Sequence, residues 1–409
     1  MHLATLTLEE FRCYRRLELA LPPRGLVITG ANGGGKTTIL EAIAFLATTR
    51  SPRAGLDREL IRWESGTELS TAPYARAGGV VQAAGGETTL DIGLQLDAAS
   101  GTATPMTRKS VKVNGIGRRA VDAVGTLRAV LFAPTDLQII TGSPSGRRKY
   151  VDVMLSQIDR RYIRALASYT HTLAQRNALL KRFAAEGRNP NDPALSEELA
   201  FWDETLVGAG AYLHARRVRT LAALSAHAED AFLALTNGGH SLAVRLAASI
   251  PLPAGGANGG NDGNDDFAAF EATAARAFAA ALAERRREEV RRAVSVIGPH
   301  RDDLTFEMDG NDLAAYGSRG QQRLAVLATK LAEIAVMTAE SGEPPVALLD
   351  DILSELDPGH RAYVLDTVLS EDAARQVVIT GADASVLDRP VLASLDHIEV
   401  TDGIVRPVA

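Results

Sequence analysis

Gly30-Ala31-Asn32-Gly33-Gly34-Gly35-Lys36-Thr37 combines the residue types and spacing that bind a polyphosphate. It satisfies G-x-x-x-x-G-K-[ST], with Leu26-Val27-Ile28-Thr29 reading as a strand before it and Ile39-Leu40-Glu41-Ala42-Ile43 reading as a helix after it. Glycines in such a turn let successive backbone N–H groups point inward as an anion nest at a helix N-terminus. Lys36 would then reach the β- and γ-phosphates of a nucleoside triphosphate, and the Thr37 hydroxyl would ligate Mg²⁺, with Thr38 completing the binding stretch.

A second stretch supplies acids. Val346-Ala347-Leu348-Leu349-Asp350-Asp351 reads as a buried parallel strand that delivers carboxylates at its C-terminal edge. Asp350 would hold the Mg²⁺ in the manner of a Walker B acid, and Asp351 would orient the attacking water. Each motif alone has a bland reading, a glycine turn or an ordinary strand end. Together they indicate nucleoside triphosphate binding.

The elements that must position these groups follow from pattern and composition. At 409 residues the chain exceeds what a single core usually holds, so two lobes are expected. With 46% hydrophobic and 23% charged residues it has the make-up of a globular protein, and no apolar run is long enough to span a bilayer. The formal charge of −6 gives no overall attraction to nucleic acid, so such binding needs local patches. The single cysteine, Cys13, forms no intrachain disulfide and suits a reducing compartment. No signal-peptide pattern is visible, and a cytoplasmic protein is expected.

Leu3, Thr5, Leu6 and Leu8, then Leu17, Leu19 and Leu21, read as two strands ahead of the phosphate loop. Between them Arg12 either touches a phosphate or lies on the surface, and Arg50 and Arg53 carry the same ambiguity. From about 77 to 134 the pattern is again strand-like, with a hairpin at Val111–Gly115 and a short buried strand at Val130–Pro134. Asp136 and Gln138 follow it, and either suits a metal- or water-facing position. From 146 to about 292 the periodicity is helical, with segments near Arg147–Leu155, Ile158–Phe183, Ser196–Leu235 and Phe267–Val294. The Ala254–Asp266 tract, rich in Gly, Asn and Asp, reads as a mobile loop. Arginine clusters here include Arg147-Arg148, Arg216-Arg217 and Arg286-Arg287; such runs are more often solvated faces than DNA contacts.

Tyr316-Gly317-Ser318-Arg319-Gly320-Gln321-Gln322-Arg323 opens a further helix, where Ser318 and the free N–H groups suit either a cap or an anion. Its place ahead of the acidic strand matches the signature motif of ABC-type ATPases. Ser354-Glu355-Leu356-Asp357, just after the acids, matches the loop that crosses the dimer interface in those proteins.

These four motifs, with Gly298-Pro299-His300-Arg301-Asp302-Asp303-Leu304 just ahead of the signature, resemble the RecF family over nearly the whole chain. The resemblance implies an α/β ATPase head of the ABC/SMC type, a mixed sheet around a P-loop helix, with an inserted all-helical lobe in place of a coiled coil. On that basis residues 1–145 and 294–409 form the head and 146–293 the lobe. It further implies an ATP-dependent homodimer in which Ser318 and Gln321 read the γ-phosphate held by the other subunit, with Ser354 and Asp357 at the interface. Catalytic roles would fall to Asp351, Lys36 and Ser318, and the expected partners are DNA, RecO and RecR, with RecA loaded at gaps. Two departures stand out. Asp351 replaces the usual Glu, and the strand after the acids ends in Thr380 where ABC heads carry His. The alternatives are an ATPase subunit of a transporter or SMC-like assembly, which would have a shorter insertion or far longer heptads, and an ATP-gated scaffold that does not hydrolyse.

Overall fold

The short apolar runs assemble into a six-stranded sheet in the order Ile404–Pro407, Asp396–Thr401, Gly25–Thr29, Val377–Thr380, Val346–Asp350, Ala129–Phe132. Every pairing is parallel except the edge hairpin of the two C-terminal strands. Covered on both faces, a central strand needs no polar side, which is why Val346–Leu349 is apolar without alternation and fully buried. The structure is a computed structural model; it describes residues 1–66, 72–97, 106–189, 192–251, 264–370, 375–382, 392 and 394–408.

A second, antiparallel six-stranded sheet runs Tyr14–Ala20, His2–Phe11, Tyr74–Ala83, Gly86–Asp97, Met106–Val113, Ile116–Arg118. A register shift between Leu3 and Thr5 explains why Leu3, Leu6 and Leu8 are all buried although strict alternation would turn Leu3 outward. The expected hairpin turns at Asn114-Gly115, both at positive φ. The helix Lys36–Thr48 shares one core with both sheets, through Ile39, Leu40, Ile43, Phe45 and Leu46. Gln376, itself fully buried, ties the two sheets: its Oε1 accepts from Leu3 N, and its Nε2 donates to Leu3 O and Pro22 O.

These sheets belong to one compact unit, Met1–Asp136 with Glu333–Ala409; Leu137–Ala332 forms another. The second unit holds the long helices Pro144–Ile158, Arg160–Ala185, Pro193–Leu235 and Asn264–Arg292. The third of these starts three residues before the expected Ser196, because Asp192 caps it by accepting from Ala194 N and Pro193 takes the first turn. This unit is not all-helical. Leu242–Ala247 is a strand, paired antiparallel with Asp303–Met308, which also pairs with Asn311–Asp312. Six residues with Leu242 and Val244 buried and Arg245 outward are too short to stand out from helical surroundings. That pairing draws residues 294–332 into the second unit, so the boundary expected at 293 falls instead after Ala332. The Ala254–Asp266 tract lies outside the described residues up to 263; from Asn264 the chain is helical.

Candidate functional site

The phosphate loop leaves its strand at Gly30 and enters its helix after Gly35. Gly30 sits at φ +137°, where a Cβ would lie 2.1 Å from Val400 O, and Gly35 sits at φ +114° with the Tyr14 hydroxyl 2.7 Å from where a Cβ would be. Tyr14 donates to Gly35 O at 3.2 Å, and its burial pushes the phenol pKa well up, so it stays a neutral donor. Ala31, Asn32 and Gly33 form the exposed tip, whereas Gly34 is buried against Val400 O. Lys36 is buried, its Nζ donating to Gly30 O at 2.6 Å and Ala31 O at 2.9 Å, which stretches the ammonium back along the loop. Thr38 is also buried, and Cys13 Sγ approaches its hydroxyl at 3.8 Å.

The strand Val346–Asp350 brings its acid to this loop. Thr37 Oγ1 donates to Asp350 Oδ1 at 2.7 Å across 313 residues of sequence. Thr380 Oγ1 donates to the same oxygen at 3.0 Å and accepts from Asp351 N at 3.0 Å. Thr380, the departure noted in the sequence from the histidine of ABC heads, is thus buried and bonded to both acids' residues. Asp351 takes a left-handed φ of +54°, and its Oδ1 is buried with no hydrogen-bond partner among the described residues. A hydroxyl, a carboxylate oxygen and an orphaned carboxylate oxygen together suit a hard divalent cation and its waters.

A cavity of about 790 Å³ joins these parts. Asn32, Gly33, Gly35, Lys36, Thr37, Thr38, Asp350, Asp351 and Thr380 line it. So do residues that the motif does not announce: Arg12, Arg53, Glu59, Ile61, Arg62 and Trp63, whose ring is 97% exposed. No spacing rule links them to the loop, and contacts made only in the folded chain carry them there. Arg12, half-buried, and Arg53, exposed, both line the cavity, while Arg50 is exposed and does not. Asp136 turns its carboxylate back to Ala133 N, and Gln138 is exposed.

Ser318 and Gln321 form a reciprocal capping box. Gln321 N donates to Ser318 Oγ at 3.2 Å, and Ser318 N donates to Gln321 Oε1 at 2.8 Å, leaving Ser318 exposed. Ser354 is exposed and donates to Asp351 O, and Asp357 caps the helix Pro358–Leu369 by accepting from Gly359 N and His360 N. Most of the clustered arginines are paired within the chain. Arg147 makes a two-pronged pair with Asp303, Arg216 pairs with Asp159, Arg217 is buried between Asp152 and Asp302, and Arg286 pairs with Asp203. Arg148 donates to Asp302 O. These five are tied down by internal acids and backbone, Arg216 and Arg217 buried and the other three partly so; Arg287 is exposed. The Gly298–Leu304 segment is the hub of this network, since Pro299 O, Asp302 and Asp303 all accept from those arginines.

A parallel sheet, a phosphate loop feeding a buried helix, and an acid-threonine pair at the next strands define an ABC/SMC-type ATP-binding head. The chain belongs to the RecF family. The family described as the RecF/RecN/SMC N terminal domain matches residues 2–394. The DNA replication and repair protein RecF of Thermomicrobium roseum is 45% identical over the full length of both chains. That of Herpetosiphon aurantiacus is 41% identical, again over both chains. A solved structure of "the recombination mediator protein RecF-ATP in RecFOR pathway" is similar at TM-score 0.81 and 28% identity, covering 100% of this chain and 98% of that one. An Smc head from Pyrococcus furiosus shares the fold at TM-score 0.51 and 18% identity, over 100% of this chain and 96% of that one. Among the described residues no helix is long and apolar enough to cross a membrane.

Proposed function

We propose that this chain is an ATP-gated DNA-binding protein of recombinational repair and replication, whose dimer is held by the nucleotide. The observation that carries the reading is the contact of Thr37 with Asp350, at the mouth of a loop built to hold phosphates, in a chain similar end to end to RecF proteins. ATP would lie along residues Gly30–Thr38, its charge met by Lys36 and the N-terminus of the helix. Thr37 and Asp350 would hold Mg²⁺, with the orphaned Asp351 oxygen available to a water beside it. The cation supplies neutralisation of charge on the phosphate oxygens. Asp351 then aligns the water, so that catalysis is positioning and electrostatics. Asp351 is one methylene shorter than Glu, which favours slow turnover, and a gate that closes on ATP and hydrolyses weakly remains within the same reading.

Ser318, exposed at its helix N-terminus, would meet the γ-phosphate bound by a second copy, with Ser354 and Asp357 near that interface. Loss of the γ-phosphate then opens the dimer. We extend the reading to work with RecO and RecR, which the RecFOR pathway of the similar RecF-ATP structure supports, and to the loading of RecA at single-strand gaps. The test is sedimentation of wild type and Ser318→Arg with ATP. Wild type should dimerise, and the variant should bind ATP as a monomer. A Ser318→Arg dimer would defeat the reading across the interface.

A further inference from the structure

One buried carboxylate on the phosphate-loop helix is not explained by phosphate binding. Glu41 is 1% exposed, one turn beyond Lys36-Thr37, in the middle of a helix whose neighbours are apolar. A lone carboxylate there would be costly, and it is compensated by three donors. Arg12 Nε donates to Oε2 at 3.0 Å and Arg12 Nη2 to Oε1 at 2.7 Å, a two-pronged pair; Ser51 Oγ donates to Oε1 at 2.6 Å. The two donor residues belong to different loops around the nucleotide cavity. Arg12 lies in the turn between the strands His2–Phe11 and Tyr14–Ala20, and Ser51 follows the phosphate-loop helix.

The network extends outward. Ser51 Oγ accepts from Arg53 N and Ala54 N, which fixes the backbone of a second cavity-lining arginine. Arg12 Nη1 donates to Glu59 O at 2.8 Å, and Arg12 N donates to Leu60 O at 2.8 Å, so the wall segment around Glu59–Ile61 hangs from the same residue. Arg12 holds a left-handed φ of +54°, uncommon for a residue with a side chain and sustained by these contacts. A guanidinium has five N–H groups, and the three bonds to Glu41 and Glu59 leave two of them uncommitted in a residue that lines the cavity.

We propose that Glu41 is a positioning residue for the nucleotide: it fixes Arg12, and through Ser51 the Arg53 loop, as the cationic side wall of the ATP cavity. This rests on the ATP-binding reading above and adds a determinant of affinity outside the phosphate-binding motif. Glu41 borders the cavity with both carboxylate oxygens already bonded, to Arg12 and Ser51. Its effect on the nucleotide passes through the Arg12 fork, which a point charge on a flexible stem cannot reproduce.

The test measures equilibrium binding of ATP and ADP by the full chain, alongside thermal unfolding without nucleotide, for Glu41→Gln, Arg12→Ala, the double variant, Arg12→Lys and Ser51→Ala. Binding is read at a temperature well below each variant's melting point. Glu41→Gln and Arg12→Ala should each weaken ATP binding by about tenfold, and the double variant should be no weaker than either alone, since both remove one device. Arg12→Lys should not rescue, and Ser51→Ala should show a smaller loss. Glu41→Gln binding like wild type, losses that multiply in the double variant, or full rescue by lysine would each overturn the proposal. If Glu41→Gln does not fold, the Arg12→Lys and Ser51→Ala arms decide. Lys36→Ala serves as the separate control: wild type failing to bind any more tightly than that variant would sink the ATP reading itself, whereas wild-type binding with an indifferent Glu41→Gln sinks only the positioning role.

Discussion

At Gly30 a side chain has nowhere to go, because its first carbon would sit on the Val400 carbonyl. Gly30→Ala should therefore cost several kcal/mol and lose nucleotide binding, checked by melting temperature and ATP titration. Lys36 acts differently: it is a charge bonded only to two loop carbonyls, so its removal spares the fold and strips the phosphate contact. Lys36→Ala should lower ATP affinity at least about a hundredfold with a melting point within a few degrees of wild type. Thr380 joins the two acids through one buried hydroxyl. Thr380→Val keeps the shape and strands Asp351 N, so about 1–3 kcal/mol of stability should go, together with Mg²⁺-dependent ATP affinity. Calorimetric unfolding and titration with and without Mg²⁺ check both halves.

At the scale of elements, the Gly298–Leu304 segment is a joint between helices rather than a surface motif. His300 lies inside it, its Nδ1 2.7 Å from the Tyr169 hydroxyl and its Nε2 3.1 Å from Ser295 O. Burial is the main cause pushing its pKa down from 6.5 to about 4. The folded protein therefore keeps His300 neutral while the unfolded chain binds a proton near pH 6.5. Its contribution is complete above that pH and is lost as pH falls from 6.5 toward about 4. Replacing His300 by Gln should flatten this part of the pH–stability curve, measured by urea unfolding at stepped pH. Arg217 shows the same burial from the basic side, held by Asp152, Asp302 and Pro299 O. Neither residue's role is visible in its spacing, since the acids that hold Arg217 come from other helices and loops.

For the whole molecule, Arg147, Arg216, Arg217 and Arg286 are paired internally, whereas Arg287 is exposed. Arg287→Glu should weaken DNA binding and shallow its salt dependence by about one counterion, while Arg217→Met should destabilise the fold and leave the slope unchanged. DNA binding against salt, with ADP and with ATP, reads both, and a steep slope only with ATP marks a gated site.

Local pattern was enough to read the phosphate loop, its strand and helix, the acidic strand and the hairpin at Asn114-Gly115, because each depends on residues within a turn or two. Periodicity likewise marked the long helices, but not the six-residue strand Leu242–Ala247, whose partner is 60 or so residues away. What only the tertiary structure decided is which charges meet. An arginine in a helical run reads the same whether solvent or a buried aspartate faces it, and burial, which sets the cost of leaving it unpaired, belongs to the packed chain. The Thr37–Asp350–Thr380 contact and the Arg12–Glu41 fork arise in the same way: each residue is named in the chain, and its neighbour is supplied by the sheet.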